Sequence, residues 1–84
     1  MDTHDSLNAE FYVSAGIAKY NCGDYHGAIN EFTKAITIHP DGWGYFSRGE
    51  TYLMLGNVSQ AQADFEEAIA LGYHVAQTVL DRCK

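Results

Sequence analysis

Proline is almost absent from this chain, cations are scarce, and no long apolar run interrupts it. One proline in 84 residues, with an apolar fraction of 46%, argues for an ordered globular chain and against disorder. Five Lys and Arg against eleven Asp and Glu give a net charge of −6, and phosphate recognition needs clustered cations, so nucleic acid is not an expected partner. No stretch approaches the roughly 18 to 20 apolar residues that span a bilayer, and no membrane association is expected. The opening residues, Met1 to Asp5, are acidic and polar where a secretory signal is basic and then apolar, so a cytoplasmic setting is expected. Two cysteines, Cys22 and Cys83, do not make the disulfide framework of a small secreted domain; both read as small buried apolar residues.

Converging chemical groups are lacking too. His4, His26, His39 and His74 have no i, i+4 pairing of the kind that holds zinc on a helix, and all four read as solvent-exposed. Glu66 and Glu67 are adjacent, so on a helix they point about 100° apart and form a solvated face, not a carboxylate pair. The glycines, Gly42 and Gly44 beside Trp43 included, fit turns and close packing; none forms a phosphate loop. No enzyme, cofactor or metal site is expected.

What the chain does contain is a repeat. Tyr12, Gly16, Gly23, Ala28, Phe32, Ala35 and Ile36 recur 33 residues later as Tyr45, Gly49, Gly56, Ala61, Phe65, Ala68 and Ile69. A period of that size marks a supersecondary unit that buries its apolar face against the next copy. At this length only about 60 to 65% of the unfolded surface is hidden on folding, so stability should be modest.

The expected elements are all helices. Residues 1–5 read as a flexible tail, and Asp5 or Ser6 caps a first helix over 7–21 that ends at Gly23. Asp24 caps a second over 25–38, in which Ala28, Ile29, Phe32, Ala35 and Ile36 share one face, and Pro40 stops it. Asp41 caps a third over about 43–55. Asn57 and Gln60 suit a capping box for a fourth over 58–71, and Gly72 closes it. A fifth helix over about 75–83 has Ala76, Val79, Leu80 and Cys83 on one face and reads as a cap over the last hairpin, the alternative being a truncated third repeat. Gly16 with Ala28, and Gly49 with Ala61, let the helices of each hairpin approach, while Phe32 and Phe65 fill the space between one hairpin and the next.

Tyr12-x2-Ala15-Gly16-x2-Lys19, then Gly23-Asp24-Tyr25-x2-Ala28-Ile29-x2-Phe32-x2-Ala35 and Pro40, resembles one tetratricopeptide repeat. The second copy reads Tyr45-x2-Arg48-Gly49-x2-Tyr52, Gly56, Ala61-x3-Phe65-x2-Ala68. The resemblance covers about residues 9 to 73. It departs from the pattern at Lys19, in place of tyrosine, and at Arg48, in place of leucine, two changes expected to weaken local packing; the second copy also lacks its terminal proline. The resemblance implies an all-α, right-handed helical-hairpin solenoid, with repeat one at about 9–41, repeat two at about 42–73 and the capping helix at about 74–84.

It also implies a function, the binding of a protein or peptide partner as an adaptor or scaffold. In the family, the first helix of each hairpin lines a concave face. Carried over by register, the partner-binding strip here is Glu10, Val13, Ile17 and Tyr20 with Trp43, Phe46, Glu50 and Leu53. Six of these eight are apolar, which suits a peptide groove, and the two glutamates favour a basic or neutral partner residue. The positions of the family's carboxylate clamp for chaperone C-termini fall on Val13, Ile17, Ser47, Ala76 and Leu80, none of them a cation or amide, so such a ligand is not expected. The alternative function is self-association, with the same strip or the N-terminal helix buried against a second copy.

Overall fold

The computed structural model describes residues 3–74 and 76–78. Four helices follow in order, α1 (Thr3–Asn21), α2 (Tyr25–Ile38), α3 (Gly42–Met54) and α4 (Val58–Ala70), and residues 76–78 are helical again. The described residues contain no strand. The rest of the expected fifth helix, with Leu80 and Cys83, lies outside them. The start differs from expectation, because α1 already includes residues 3–5 of the supposed tail. No glycine or proline precedes Gly16, so nothing in the chain stops the helix from extending toward its start.

Three of the turns are one device used three times. Gly23 N–H donates to the Tyr20 carbonyl and Asp24 N–H to that of Lys19; Gly56 and Asn57 repeat the pair on Leu53 and Tyr52, and Gly72 and Tyr73 on Ile69 and Ala68. This is the Schellman closure, which needs a left-handed residue, and the three glycines supply it with φ of 84°, 79° and 95°. Asp24 caps α2 by accepting from Gly27 N–H at 3.0 Å, and Asp41 caps α3 by accepting from Trp43 N–H at 3.3 Å. Asn57 makes no side-chain cap bond. The capping box is therefore not formed: the Asn57 N–H that Gln60 would have accepted already donates to Tyr52 at 2.9 Å.

α1 packs on α2 and α3 on α4, giving two antiparallel hairpins, and α2 against α3 joins them. The core has the period of the sequence. Ala28, Phe32 and Ala35 are buried, and so are Ala61, Phe65 and Ala68 at the same positions of the next repeat. Each phenylalanine seats inside its own hairpin. A Cβ on Gly16 would stand 2.5 Å from the Phe32 ring and one on Gly49 would stand 2.7 Å from Phe65, so the glycines are the slots that the rings fill. The expected place between hairpins is found as well: Phe32 shares a cavity with Trp43 and Ser47 of α3, and Phe65 shares a cluster with Tyr73 and Ala76. Cys22 is exposed instead of buried, because it lies in the turn beside Gly23.

Arg48 overturns the expectation of weakened packing. Its guanidinium donates through Nε and Nη2 to the two carboxylate oxygens of Asp64, each at 2.8 Å, and through Nη1 to Thr33 Oγ1 at 3.2 Å. The rings of Tyr45 and Tyr52 lie 5.6 and 5.9 Å from it. One side chain on α3 thus ties α4 and α2 together, and a planar fork between aromatic rings is the arrangement arginine suits best. Lys19 contacts Asp24 at 4.0 Å on the surface.

Candidate functional site

A groove opens between α1 and α3, which touch at few positions, and the end of α2 forms its floor. The larger cavity, about 510 Å³, is lined by Glu10, Val13, Ser14 and Ile17 of α1, by Ala35, Ile36 and His39, and by Asp41, Trp43 and Gly44. Gly44 lets α3 approach α2: a Cβ there would be 3.2 Å from Ile36 Cγ1. A smaller cavity of about 200 Å³ continues the groove along Ile17, Tyr20, Asn21, Phe32, Trp43, Ser47 and Glu50. Ile17 and Trp43 belong to both and mark the midpoint.

Of the eight residues expected in the strip, the structure brings six together: Glu10, Val13, Ile17, Tyr20, Trp43 and Glu50. Phe46 is elsewhere. It is 7% exposed, with its ring centroid 5.0 Å from Tyr73 and 5.6 Å from Phe65, and it belongs to the core cluster that contains Ala76. Leu53 is half-buried against the same cluster. Both are covered because the chain folds back after Gly72: Tyr73 lies over Gly42, where a Cβ would be 2.6 Å from its own. Ser47 takes the place expected for Phe46. The signal was available, since Trp43, Ser47 and Glu50 have the i, i+4, i+7 spacing of one face, as Glu10, Ser14 and Ile17 do.

His39 is half-buried against the groove instead of exposed, whereas His26 and His74 are exposed. Among the described residues no group of three or more His, Cys, Asp or Glu converges as a metal site.

Trp43, 40% exposed, is the one exposed large hydrophobic residue among the described residues that line the groove. Its ring is stacked on Phe46 at 6.2 Å and 24°, and Tyr73 backs it at 5.7 Å, so it is held in place by the core below. Tyr20 is steadied by an edge contact to Tyr25 at 5.3 Å. Among the described residues the full charges along the groove are of one sign: Glu10, Asp41 and Glu50 line it, and no lysine or arginine does. Burial pushes the Glu50 carboxyl above the usual carboxylate range. Burial first, then the Glu50 charge and then Tyr25, raise the Tyr20 phenol, which stays neutral.

Residues 9–41 and 44–71 each match the family described as Tetratricopeptide repeat. The chain belongs to that family. Its members are built on a non-catalytic fold that mediates protein–protein interaction. The chain is similar to DnaJ homolog subfamily C member 7 of Mus musculus, 36% identical over 71 residues, which is 83% of this chain and 14% of that protein. It is also similar to a tetratricopeptide repeat protein 36 homolog of Nematostella vectensis, 33% identical over 70 residues, 82% of this chain and 39% of the relative. An uncharacterized protein of Methanocaldococcus jannaschii is 31% identical over 70 residues, 80% of this chain and 79% of its own length. The chain thus spans about one seventh of the DnaJ homologue and well under half of the Nematostella protein. Among the described residues, no helix is long and apolar enough to cross a membrane.

Proposed function

We propose that this tetratricopeptide domain acts as an adaptor that holds a peptide or helix of a partner protein in the groove between α1 and α3. One observation supports the reading above others: a rigidly backed, exposed tryptophan stands at the middle of a concave, mostly apolar channel. Exposed apolar surface in a concave site is where soluble proteins take partners, and aromatic anchors commonly dominate the binding energy. Val13, Ile17 and Trp43 would supply apolar contact, and Glu10 and Asp41 would leave an acidic rim that disfavours an acidic ligand. The test is selection of ligands from a displayed peptide library, followed by titration of the best one. Trp43→Ala should weaken it by about 2 kcal/mol, some thirtyfold. A ligand that binds the variant as tightly as the parent, with both folded, would remove the groove as the site.

Self-association is the second reading, and it has its own observation. Leu7 and Phe11 stand one turn apart on α1, 55% and 67% exposed, away from the groove. A second copy would bury them. Light scattering over a concentration range tests this, and a monomer at all concentrations would rule it out.

A further inference from the structure

The groove is not uniform along its length. Its Ile17–Glu10 half is wide, while the half beyond Trp43 narrows to a pocket of about 200 Å³ lined by Tyr20, Phe32, Trp43 and Glu50 with Asn21 and Ser47. The accessible rings of Tyr20 and Trp43 share this hollow with one carboxylate, Glu50, while Phe32, buried, lies beneath it. Ring faces attract cations, and a carboxylate beside them completes a site for a guanidinium or ammonium group.

The carboxylate lacks such a partner within the described fold. The three described cations are engaged elsewhere: Lys19 with Asp24, Lys34 with Glu31 at 3.0 Å, and Arg48 with Asp64 at 2.8 Å on the opposite side of α3. Glu50 is half-buried all the same, and no cation offsets its loss of water. The groups facing it are neutral, the Tyr20 phenol from α1 with Tyr25 of α2 behind it, and Ser47 on its own helix.

We propose that this pocket takes a basic side chain of the bound partner, arginine in preference to lysine, between the rings of Tyr20 and Trp43 and against the Glu50 carboxylate. Arginine is preferred because its flat guanidinium stacks on a ring face while its edge donates to a carboxylate, and it sheds water more readily than an ammonium. The inference rests on the groove being the partner site, and it adds what that partner carries at one position. An acidic ligand would face Glu50 without a cation, and a neutral one would leave its charge unmet.

Trp43 is the only tryptophan of the chain, so its fluorescence reports the pocket directly. The full chain would be titrated with Nα-acetyl-arginine methylamide, the lysine equivalent, and the citrulline equivalent, which has arginine's shape without its charge. Arginine should bind about tenfold more tightly than citrulline, with lysine between them. Glu50→Gln should bring the arginine-to-citrulline ratio close to one. Equal affinity for arginine and citrulline in the parent, or an undiminished ratio in Glu50→Gln, overturns the pocket. A library-selected ligand that depends on Trp43 but has no basic residue also overturns it, and leaves the groove itself standing. A Leu71→Ser variant, altered at an exposed position beyond α4 that lines neither cavity, should keep the arginine preference if the pocket is its source.

Discussion

Replacing Arg48 by leucine, the residue the tetratricopeptide pattern favours at that place, should damage the protein severely. The Asp64 side chain is 7% exposed and the Arg48 side chain 20%. Removing one member of such a pair strands the other charge, which costs about 3 to 5 kcal/mol; the partial exposure of Arg48 places this case near 3. Total stability for a chain of this size is on the order of 5 to 10 kcal/mol, so a third or more would be lost. For a domain under 100 residues that corresponds to a fall in melting temperature of about 12 to 24 °C. Arg48→Lys should fall between, because a single ammonium cannot reproduce the two parallel bonds at 2.8 Å or the place between Tyr45 and Tyr52.

A double-mutant cycle isolates the pair. Adding Asp64→Ala to Arg48→Leu removes the stranded charge and should recover about 2 kcal/mol relative to the sum of the single changes, measured by urea denaturation. A melting temperature for Arg48→Leu within about 3 °C of the parent, or a coupling energy under about 0.5 kcal/mol, would refute the assignment of Arg48 and Asp64 as the charge pair that ties α3 to α4.

Phe46→Ala should destabilise the fold by about 3 to 5 kcal/mol, seen in a thermal melt, since it empties a core position and not the groove. Gly49→Ala brings a Cβ to 2.7 Å from the Phe65 ring and 3.2 Å from the Asp64 Cβ, and should cost about 1 to 3 kcal/mol by the same assay. Ala61→Leu, at a fully buried position, should cost a similar amount; an unchanged melt would mean that the hairpin contact is misassigned. Glu50→Gln should stabilise the unliganded protein at pH 7 by less than about 1 kcal/mol, because solvent screens a half-exposed carboxylate. The sign follows from the raised folded pKa: the native state holds the proton more tightly than the unfolded state, so parent stability falls as pH rises through the window above the ordinary glutamate value. Below that window parent and variant should melt together.

The helices and their turns were legible in the sequence because local rules determine them. Glycine at the end of a helix and Asp24 and Asp41 at the starts each act within a few residues, and the 33-residue echo shows those local signals twice. The misreadings arose where a residue's fate is settled by something distant. Val13 and Phe46 occupy the same register position, yet Val13 lines the groove and Phe46 is core, because repeat one is followed by α3 and repeat two by Tyr73 and Ala76. Arg48 broke the repeat pattern, and read alone it looked like a defect. Its meaning depends on Asp64, which also interrupts an apolar face, between Ala61 and Phe65. In repeat one the corresponding residues are Ala15 and Glu31; with no arginine opposite, Glu31 pairs with Lys34 on its own helix instead. Two opposite charges that both intrude on facing apolar stripes satisfy each other, since either alone would be a buried charge without a partner. Glu50 extends the rule: a half-buried charge beside Tyr20 and Trp43, with no opposite in the described fold, is what the proposed partner arginine would satisfy.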